Sequence, residues 1–375
     1  MDDTVSHITG KSIGKTYEKK SLHEKILHAP DSYIGSIEKT CEPMWVRNPE
    51  TQRIELREIT FVEGFFKIFD EVLVNAIDQV RRLRDIQEKQ PTQKIQHVKN
   101  IYVSIDRTNG WITVENDGEG IDIVQHPEHK MYVPELIFSQ LLTSTNYDNS
   151  VERTVGGKNG YGAKLANIFS QTFHLETVDR SRKLRYLQTC SDNMYQVNKP
   201  VIEKWSKKPY TKISYLPDFE RFGIHPSTCQ DWDILERRVY DACACTPKDV
   251  NVWLNGTKIQ TKSFEQYVEL YLGPKKDCPR IFFSPNERWE VGFCLSEEGE
   301  SRQVSFVNGI FTDMGGTHVN HIMDTMSKKI AEEISSKSKQ VTIKPEHVRR
   351  NLWVFVKSVI VNPSFDGQTK RRLTS

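Results

Sequence analysis

Two long segments of the chain carry apolar residues at helical spacing. Residues 62–84 are apolar over most of a helical circumference, so we predict a helix that is largely buried. Residues 317–334 carry apolar residues on one face only, which is typical of an amphipathic helix. That face consists of Val319, Ile322, Met323, Met326 and Ile330. Shorter helices are predicted at about 134–142, 163–169 and 232–244.

Alternating apolar and polar residues predict strands elsewhere in the chain. Residues 101–105 alternate, Asn109-Gly110 supplies a turn, and residues 112–114 alternate again, so this segment is predicted to be a hairpin. Further strands are predicted near 172–178, 184–190, 211–216, 250–254, 290–295 and 302–308. Residues 352–361 are apolar on both faces and follow a strand and a helix, which predicts a right-handed β–α–β unit.

The composition is that of a globular chain with two domains. The chain has 375 residues and a mass of 43.5 kDa, and roughly 100–200 residues per domain is usual. No apolar run approaches the roughly 20 residues of a membrane-spanning helix, and the N-terminus lacks the apolar stretch of a secretory signal. The seven cysteines are irregularly spaced, which favours reduced thiols over disulfides or a zinc site.

Charge is almost balanced over the chain but uneven along it. The net charge is +2, which is too small to direct the whole molecule to nucleic acid or acidic lipid. Residues 337–372, however, hold nine Lys and Arg against two acids. This basic stretch can contact a phosphate backbone, although a solvated face or a loose tail has the same composition.

A stripe of polar residues follows the first long helix. Glu71, Asn75, Asp78 and Arg82 are spaced i, i+4, i+7 and i+11, which places them on one narrow face. A solvated face is the simplest interpretation of such a stripe, but the remaining circumference is apolar, so we expect the stripe to face a cleft. There Glu71 could act as a general base for water, and Asn75 could supply an oxygen ligand for Mg²⁺.

The segment Gly156–Leu165 is the strongest local signal in the sequence. It has four glycines within seven residues and opens into a helix at about Ala163. Backbone N–H groups can converge in such a loop, and the helix start adds positive potential. Lys164 lies in the first turn, where a cation disfavours the helix unless an anion is near. A flexible surface loop is the alternative interpretation.

Three smaller motifs are weak by themselves. Asp117-Gly118-Glu119-Gly120 follows the predicted hairpin and offers a carboxylate that could accept a hydrogen bond from a purine amino group, although a plain turn explains it more simply. Thr143–Asn146 offers hydroxyl groups and an amide. Gln368-Thr369-Lys370 alone is an exposed turn.

The order of the helix stripe, the D-G-x-G segment and the glycine-rich loop resembles the GHKL ATPases, which include gyrase, the heat-shock chaperone, histidine kinases and MutL. Flanking segments narrow this to a resemblance to eukaryotic-type DNA topoisomerase II over nearly the whole chain. They are Tyr33–Ser36, Phe69–Ala76, Leu141–Tyr147, Gly156–Leu165, Ser305–Gly309, Gly315–Val319 and Asn362–Lys370. Asn116-Asp117-Gly118 departs from the family's Asn-Asn-Gly, and Lys158 stands where Arg is common.

The resemblance implies an α+β fold with a defined domain order. A Bergerat (GHKL) α/β sandwich that binds ATP would be followed by a transducer domain with a right-handed βαβ crossover. The implied boundaries are an N-terminal dimerisation arm at 1–28, the ATP-binding domain at 29–262 and the transducer domain at 263–375. The arm, which includes Tyr17, would cross to the partner subunit.

The resemblance also implies roles for individual residues, with ATP and Mg²⁺ as cofactors. Glu71 would be catalytic and activate the attacking water, Asn75 would hold Mg²⁺, and Lys370 would reach from the second domain to the γ-phosphate. The other implied nucleotide contacts are Asp78, Asn116, Asp117, Ser144, Thr145, Asn146, Gly157, Lys158, Asn159, Gly160, Tyr161, Gly162, Ala163, Lys164, Gln368 and Thr369.

By the same resemblance, the chain would be the ATP-hydrolysing N-gate of a type IIA topoisomerase. ATP would join two copies into a homodimer that traps double-stranded DNA, with 337–372 as a DNA contact and no membrane partner. We expect no DNA cleavage from this chain, because it ends at Ser375, before the family's cleaving half. The expected location is the nucleus in a cellular eukaryote, and otherwise a soluble intracellular one.

Three other functions remain open from the sequence alone. One is an enzyme of another GHKL branch, such as a MutL-like repair ATPase or a chaperone, which the Q-T-K segment and the glycine-rich loop argue against. A second is a clamp that dimerises on ATP without hydrolysing it, which the presence of Glu71 argues against. A third is a structural DNA-binding module, which would need no glycine-rich loop.

Overall fold

The computed structural model describes residues 20–141, 154–156, 162–296, 299–337 and 343–375. Its first described element is helix α1 (Leu22–His28), followed by the short helix α2 (Asp31–Ile34). Ser21 and Glu24 form a capping box that starts α1.

The last residues of the predicted N-terminal arm form a helix that packs on the first domain. Ile26 and Leu27 are buried in the same apolar core as Phe65. Two adjacent apolar residues in a polar segment show no periodicity, so the sequence did not predict this helix, although burying them stabilises it. The role of residues 1–28 as a dimerisation arm stays a prediction. Residues 1–19, with Tyr17, lie outside the described part of the chain.

A two-stranded hairpin precedes the long helix. Strands β1 (Lys39–Arg47) and β2 (Ile54–Val62) pair antiparallel, and neither strand was predicted. Most residues in the middle of both strands are exposed, so charged side chains obscure the apolar alternation there. Helix α3 (Glu63–Lys89) begins directly after β2 and extends about one turn beyond the predicted end.

The first domain is built on a large mixed sheet. Its strands are β3 (Asn100–Ile105), β4 (Ile112–Asp117), β5 (Ser170–Asp179), β6 (Leu184–Ser191), β7 (Gln196–Val197), β8 (Val201–Lys204), β9 (Tyr210–Pro217), β10 (Asn251–Leu254) and β11 (Thr257–Lys258). They are ordered β11-β10-β3-β4-β9-β5-β6-β7, with β8 beside β6. Strand β10 runs parallel to β3, and the other neighbours are antiparallel.

Helices cover one face of this sheet. They are α3 together with α4 (Val133–Ser139), α5 (Gly162–Ile168) and α6 (Asp231–Cys245). Along β3 and β4, buried and partly exposed residues alternate as predicted, and the buried ones share one core with the apolar residues of α3, α5 and α6. The predicted hairpin is confirmed, and Gly110 adopts the positive φ of +82° that its turn needs.

A second sheet forms the C-terminal domain. Its elements are α7 (Phe264–Leu272), β12 (Arg280–Asn286), β13 (Trp289–Leu295), β14 (Arg302–Val307), β15 (Ile310–Phe311), α8 (Thr317–Lys337), α9 (Pro345–Arg350) and β16 (Leu352–Ser358). The strand order is β12-β13-β16-β14-β15, and β14 pairs with β16 in parallel. The predicted strand–helix–strand unit is therefore confirmed, with α8 as its helix.

Strand β16 is buried on both faces, as its sequence predicted. Trp353 and Phe355 pack with α7, whereas Val354 and Val356 pack with α8. The strand ends at Ser358, before the predicted residue 361. The predicted domain boundary at 262/263 falls between the end of β11 and the start of α7, and it stays a prediction.

Two further findings complete the fold. All seven cysteines are free thiols. Among the helices that the structure describes, none combines the length and the apolar character needed to cross a bilayer.

Candidate functional site

A pocket of about 130 Å³ lies between α3 and the strands β4 and β9. Its walls are mainly apolar, and amide and hydroxyl groups are placed among them. The lining consists of Val72, Asn75, Ala76, Gln79, Arg82, Val114, Asn116, Ile121, Ile137, Phe138, Thr211 and Ile213. An apolar slot with a few fixed polar groups is typical of a site for a flat organic ligand.

The polar stripe on α3 is arranged around this pocket. Asn75 and exposed Arg82 line it directly, whereas Glu71 and Asp78 are each 4% exposed. The stripe is therefore not a solvated face. Because α3 packs its apolar circumference into the core, the stripe is left pointing at the cleft.

Glu71 is held by two lysines. The ammonium nitrogens of Lys67 and Lys370 lie 2.7 Å and 3.1 Å from the same carboxylate oxygen, Glu71 Oε1. Burial by itself would raise the pKa of Glu71, but the positive charges of Lys370 and Lys67 lower this pKa to about 2. Glu71 is therefore an ionised, buried carboxylate at the edge of the pocket.

Both ends of the glycine-rich segment are fixed to α3. The backbone N–H of Gly156 donates to the two carboxylate oxygens of Asp78 at 3.0 Å and 3.1 Å. At the other end, a Cβ added to Gly162 would overlap Glu71 Oε2, so α5 begins directly against the carboxylate. The two described ends of the segment therefore lie at Asp78 and at Glu71, on the same face of α3.

Comparison with known proteins shows which family the chain resembles. The family model for DNA gyrase B matches residues 256–375. A probable DNA topoisomerase 2 of Dictyostelium discoideum is 44% identical over 98% of the chain, and the DNA topoisomerase 2 of Acanthamoeba polyphaga mimivirus is 43% identical over 97%. The chain spans about a quarter of these relatives, 23% and 28% of their lengths.

Similarity to solved structures establishes the family. The ATPase region of Saccharomyces cerevisiae topoisomerase II aligns with a TM-score of 0.86 and 41% identity, over 96% of this chain and 91% of that one. This chain belongs to the topoisomerase II family. The ATPase and transducer domains of DNA topoisomerase II from Balamuthia mandrillaris align similarly, with a TM-score of 0.87 and 40% identity over 97% and 90% of the two chains.

Lys164 of this topoisomerase II chain is a buried cation at the start of a helix. It is 2% exposed in the first turn of α5, and burial lowers its pKa to about 8. An ammonium group at a helix N-terminus meets unfavourable potential. An anion bound beside Lys164 and the start of α5, next to Ala163, would remove this cost.

Asn116 and Asp117 have different surroundings, although they are neighbours at the end of β4. Asn116 lines the pocket and is 6% exposed. The carboxylate of Asp117 instead accepts hydrogen bonds from the backbone N–H groups of Lys99 (2.6 Å) and Asn100 (2.9 Å) and from the Asn100 side chain (2.7 Å). Three donors at the start of β3 therefore already contact this carboxylate, and the nucleotide contact of Asp117 stays a prediction.

The Gln368–Lys370 segment reaches the first domain through its lysine. Lys370 is 7% exposed and has a φ of +61°, and its ammonium group is the part that contacts Glu71. Gln368 and Thr369 are half-buried beside it. The next residue, Arg371, pairs with Asp313 of the second domain and with Glu63 at the start of α3.

Asn75 fits the predicted Mg²⁺ ligand in its chemistry. Its amide lines the pocket one helical turn after Glu71. Mg²⁺ prefers oxygen ligands and takes few from protein when phosphate and water complete its shell, so one amide oxygen suits a Mg²⁺–nucleotide complex.

Several predicted contacts fall outside the described residues. They are Ser144, Thr145, Asn146, Gly157, Lys158, Asn159, Gly160 and Tyr161. These contacts stay predictions.

Sequence reasoning missed two features of the site. Thr211 reaches the pocket from β9, which no local motif marks. Lys67 lies i−4 from Glu71 inside an apolar helix, and a lone lysine at that spacing was a readable signal for a buried ion pair.

Proposed function

We propose that this chain binds and hydrolyses ATP with Mg²⁺ as the N-gate of a type IIA topoisomerase. One observation carries the proposal: a lysine of the C-terminal domain, Lys370, contacts the buried carboxylate of Glu71, beside the pocket and against the start of α5. The candidate base Glu71 is therefore in contact both with the start of α5 and with a residue of the second domain.

The chemistry of the lining supports one orientation of the nucleotide. Its adenine enters the slot beside Asn116 and Thr211, where apolar walls stack on the ring and polar groups fix its edge. Its phosphates extend toward the start of α5, where backbone N–H groups and Lys164 offer positive potential. Mg²⁺, held at Asn75, supplies neutralisation of phosphate charge.

Hydrolysis then depends on which anion Lys370 contacts. While both lysines hold Glu71, its pKa of about 2 makes it a weak base for water. When Lys370 moves to the γ-phosphate, Glu71 keeps only Lys67, and its pKa rises toward the usual range. Glu71 then accepts the proton of the attacking water more readily, and the position of Lys370 reports the nucleotide state to the second domain.

The same movement supports ATP-driven closure of two copies around a DNA duplex. A homodimer with an N-terminal arm crossing to the partner, capture of double-stranded DNA and a nuclear location in a cellular eukaryote are all part of this proposal. They rest on membership of the topoisomerase II family, of whose relatives this chain spans about a quarter.

Within 337–372, we propose a DNA contact at the exposed basic residues that make no ion pair within the described part of this chain. Lys370 is buried at Glu71, and other basic residues pair with acids of the same chain: Lys337 with Glu333, Arg349 with Asp324, Lys357 with Glu290 and Arg371 with Asp313. Lys344, Arg350 and Arg372 are exposed, and Lys339 lies outside the described residues. Among the described residues, we assign the DNA contact to Lys344, Arg350 and Arg372.

The experiment is nucleotide-driven dimerisation, followed by sedimentation velocity. With a non-hydrolysable ATP analogue the wild type should form dimers, and with ADP it should stay monomeric. Asn116→Ala should need more analogue, because the slot loses a polar contact. Asn109→Ala, in the exposed turn at the other end of the same hairpin, is the matched control. Unchanged sedimentation with the analogue would contradict the proposal.

A further inference from the structure

A turn of the C-terminal domain enters the first domain beside the candidate site. It is the segment Asn308–Ile310 between β14 and β15. A Cβ added to Gly309, whose φ is +81°, would lie 3.0 Å from Ile77 of α3. The side chain of Ile310 would lie 2.9 Å from a Cβ added to Gly156, at the start of the glycine-rich segment. The turn therefore fits closely against both α3 and that segment.

Arg238 of α6 joins this turn to the helix that carries Glu71. Its Nε donates to Asp70 Oδ1 at 2.7 Å, and its Nη2 donates to the carbonyl oxygen of Gly309 at 2.7 Å. Its side chain is 0% exposed. A planar guanidinium can hold a carboxylate and a carbonyl at a fixed angle, which a lysine cannot do.

A short chain of contacts continues from Asp70 to Glu71. Asp70 Oδ2 lies 3.6 Å from the ammonium nitrogen of Lys67, which lies 2.7 Å from Glu71 Oε1. All members are almost fully buried. From the C-terminal domain the contacts therefore run from Gly309 through Arg238, Asp70 and Lys67 to Glu71.

The charges in this chain balance without Lys370. Lys67 and Arg238 are positive, and Asp70 and Glu71 are negative. Nearby, Arg237 pairs with Asp241 at 3.0 Å, which adds no net charge. With Lys370 in contact, the group carries one net positive charge, and an unbalanced buried charge is costly. Movement of Lys370 from Glu71 to a phosphate therefore leaves a neutral buried group. Arg238 supplies the charge that makes it so.

We propose that Arg238 is a positioning residue for the proposed ATP hydrolysis, which fixes the Glu71 face of α3 to the Asn308–Ile310 turn of the C-terminal domain. The inference rests on the function proposed above. It adds a connection between the two domains that is distinct from Lys370 and present whichever anion Lys370 contacts. A displacement of the turn is then transmitted to the orientation of Glu71.

The kinetic test compares Arg238→Lys with Arg280→Lys. Arg280 is an equally buried arginine that also donates to a carboxylate, Glu269, and to a backbone carbonyl, Gly273, but it lies away from Glu71. Arg238→Lys keeps the charge and loses the fixed geometry, so kcat should fall at least about tenfold with KM nearly unchanged. Arg280→Lys should lose thermal stability and keep kcat.

A second test does not require ATP hydrolysis. The titration of Glu71 can be followed from its carboxyl carbon by NMR, with Glu71→Gln to assign the signal. Among the described residues, the charged groups that contact Glu71 directly are Lys67 and Lys370. Asp70 contacts Lys67, Arg238 contacts Asp70, and Asp241 lies beside Arg238. Arg238→Gln should move the Glu71 titration to higher pH, because Asp70 then competes for Lys67, and Arg238→Lys should restore it.

The outcomes separate the two proposals. If the wild type hydrolyses no ATP, the proposed function fails, and the Glu71 titration still decides the role of Arg238. Wild-type kcat in Arg238→Lys, or a Glu71 titration that is the same in wild type and Arg238→Gln, would overturn the assignment of Arg238.

Discussion

At the scale of single residues, the central feature is one carboxylate oxygen shared by two ammonium groups. Lys67 belongs to the same helix as Glu71 and cannot leave, whereas Lys370 comes from a loop of the other domain. The pair therefore combines a permanent partner with an exchangeable one. This asymmetry lets a buried carboxylate stay ionised while its strength as a base changes.

Lys370→Met tests the exchangeable partner. Without Lys370, no ammonium group reaches the γ-phosphate, so kcat should fall by about 10²–10³, the usual effect of losing one charge-stabilising contact. Analogue binding should change much less, and steady-state kinetics with analogue titration would separate the two effects.

The pH dependence has a defined sign. The pKa of Glu71 is lowered to about 2 in the folded protein, so its contribution to stability is present at neutral pH and is lost as pH falls toward 2. Lys370→Met raises this folded-state pKa and narrows its gap from the unfolded value, so the variant should lose less stability than the wild type as pH falls, measured by thermal unfolding. If the melting temperature changed equally with pH in wild type and variant between pH 3 and 5, this prediction would be contradicted.

At the scale of elements, the start of α5 has little room for a larger residue. Gly162 permits the helix to begin against Glu71, and an added methyl group would overlap the carboxylate. Gly162→Ala should displace either α5 or Glu71 and reduce hydrolysis by at least about tenfold. Gly223→Ala is a suitable control, because its Cβ meets nothing within 4 Å and its φ of +61° costs only stability. Equal activity in Gly162→Ala and Gly223→Ala would contradict the assigned geometry.

The sequence predicted those elements whose apolar residues follow a clear helical or strand period. The β3–β4 hairpin, α8 and β16 follow directly from apolar spacing. The β1–β2 hairpin was not predicted from the sequence, because its many exposed residues interrupt the alternation of apolar and polar positions. The hydrogen-bond donors of Asp117 could not be predicted either, because a turn carboxylate and a ligand-binding carboxylate look alike in sequence. The Arg238–Gly309 contact could not be predicted, since it joins segments far apart in the chain.

At the scale of the whole molecule, two sheets meet around one site. The C-terminal domain reaches that site through Lys370 and through the Asn308–Ile310 turn. The side chain of Asn308 also exchanges hydrogen bonds with the backbone of Ile360, at 2.9 Å and 2.8 Å. The turn and the segment leading to Lys370 are thereby tied together, so we expect them to move as one unit.

Stimulation of hydrolysis by DNA tests the exposed basic residues of that domain. The double variant Lys344→Glu with Arg350→Glu should lose most of the stimulation by duplex DNA and keep its basal rate, because neither residue contacts the pocket. Lys208→Glu, an exposed lysine of the first domain, is the control. The stimulation should also decline as salt increases. Full stimulation in the double variant would remove the DNA contact from this surface.

The most direct measurement of the central claim is steady-state ATP hydrolysis by wild type, Glu71→Gln and Glu88→Gln. Glu88 is an exposed glutamate near the end of the same helix. We predict turnover by the wild type and by Glu88→Gln, and a loss of about 10²–10⁴ in Glu71→Gln, as expected when a general base is removed. Hydrolysis by Glu71→Gln at the wild-type rate would show that Glu71 is not the base.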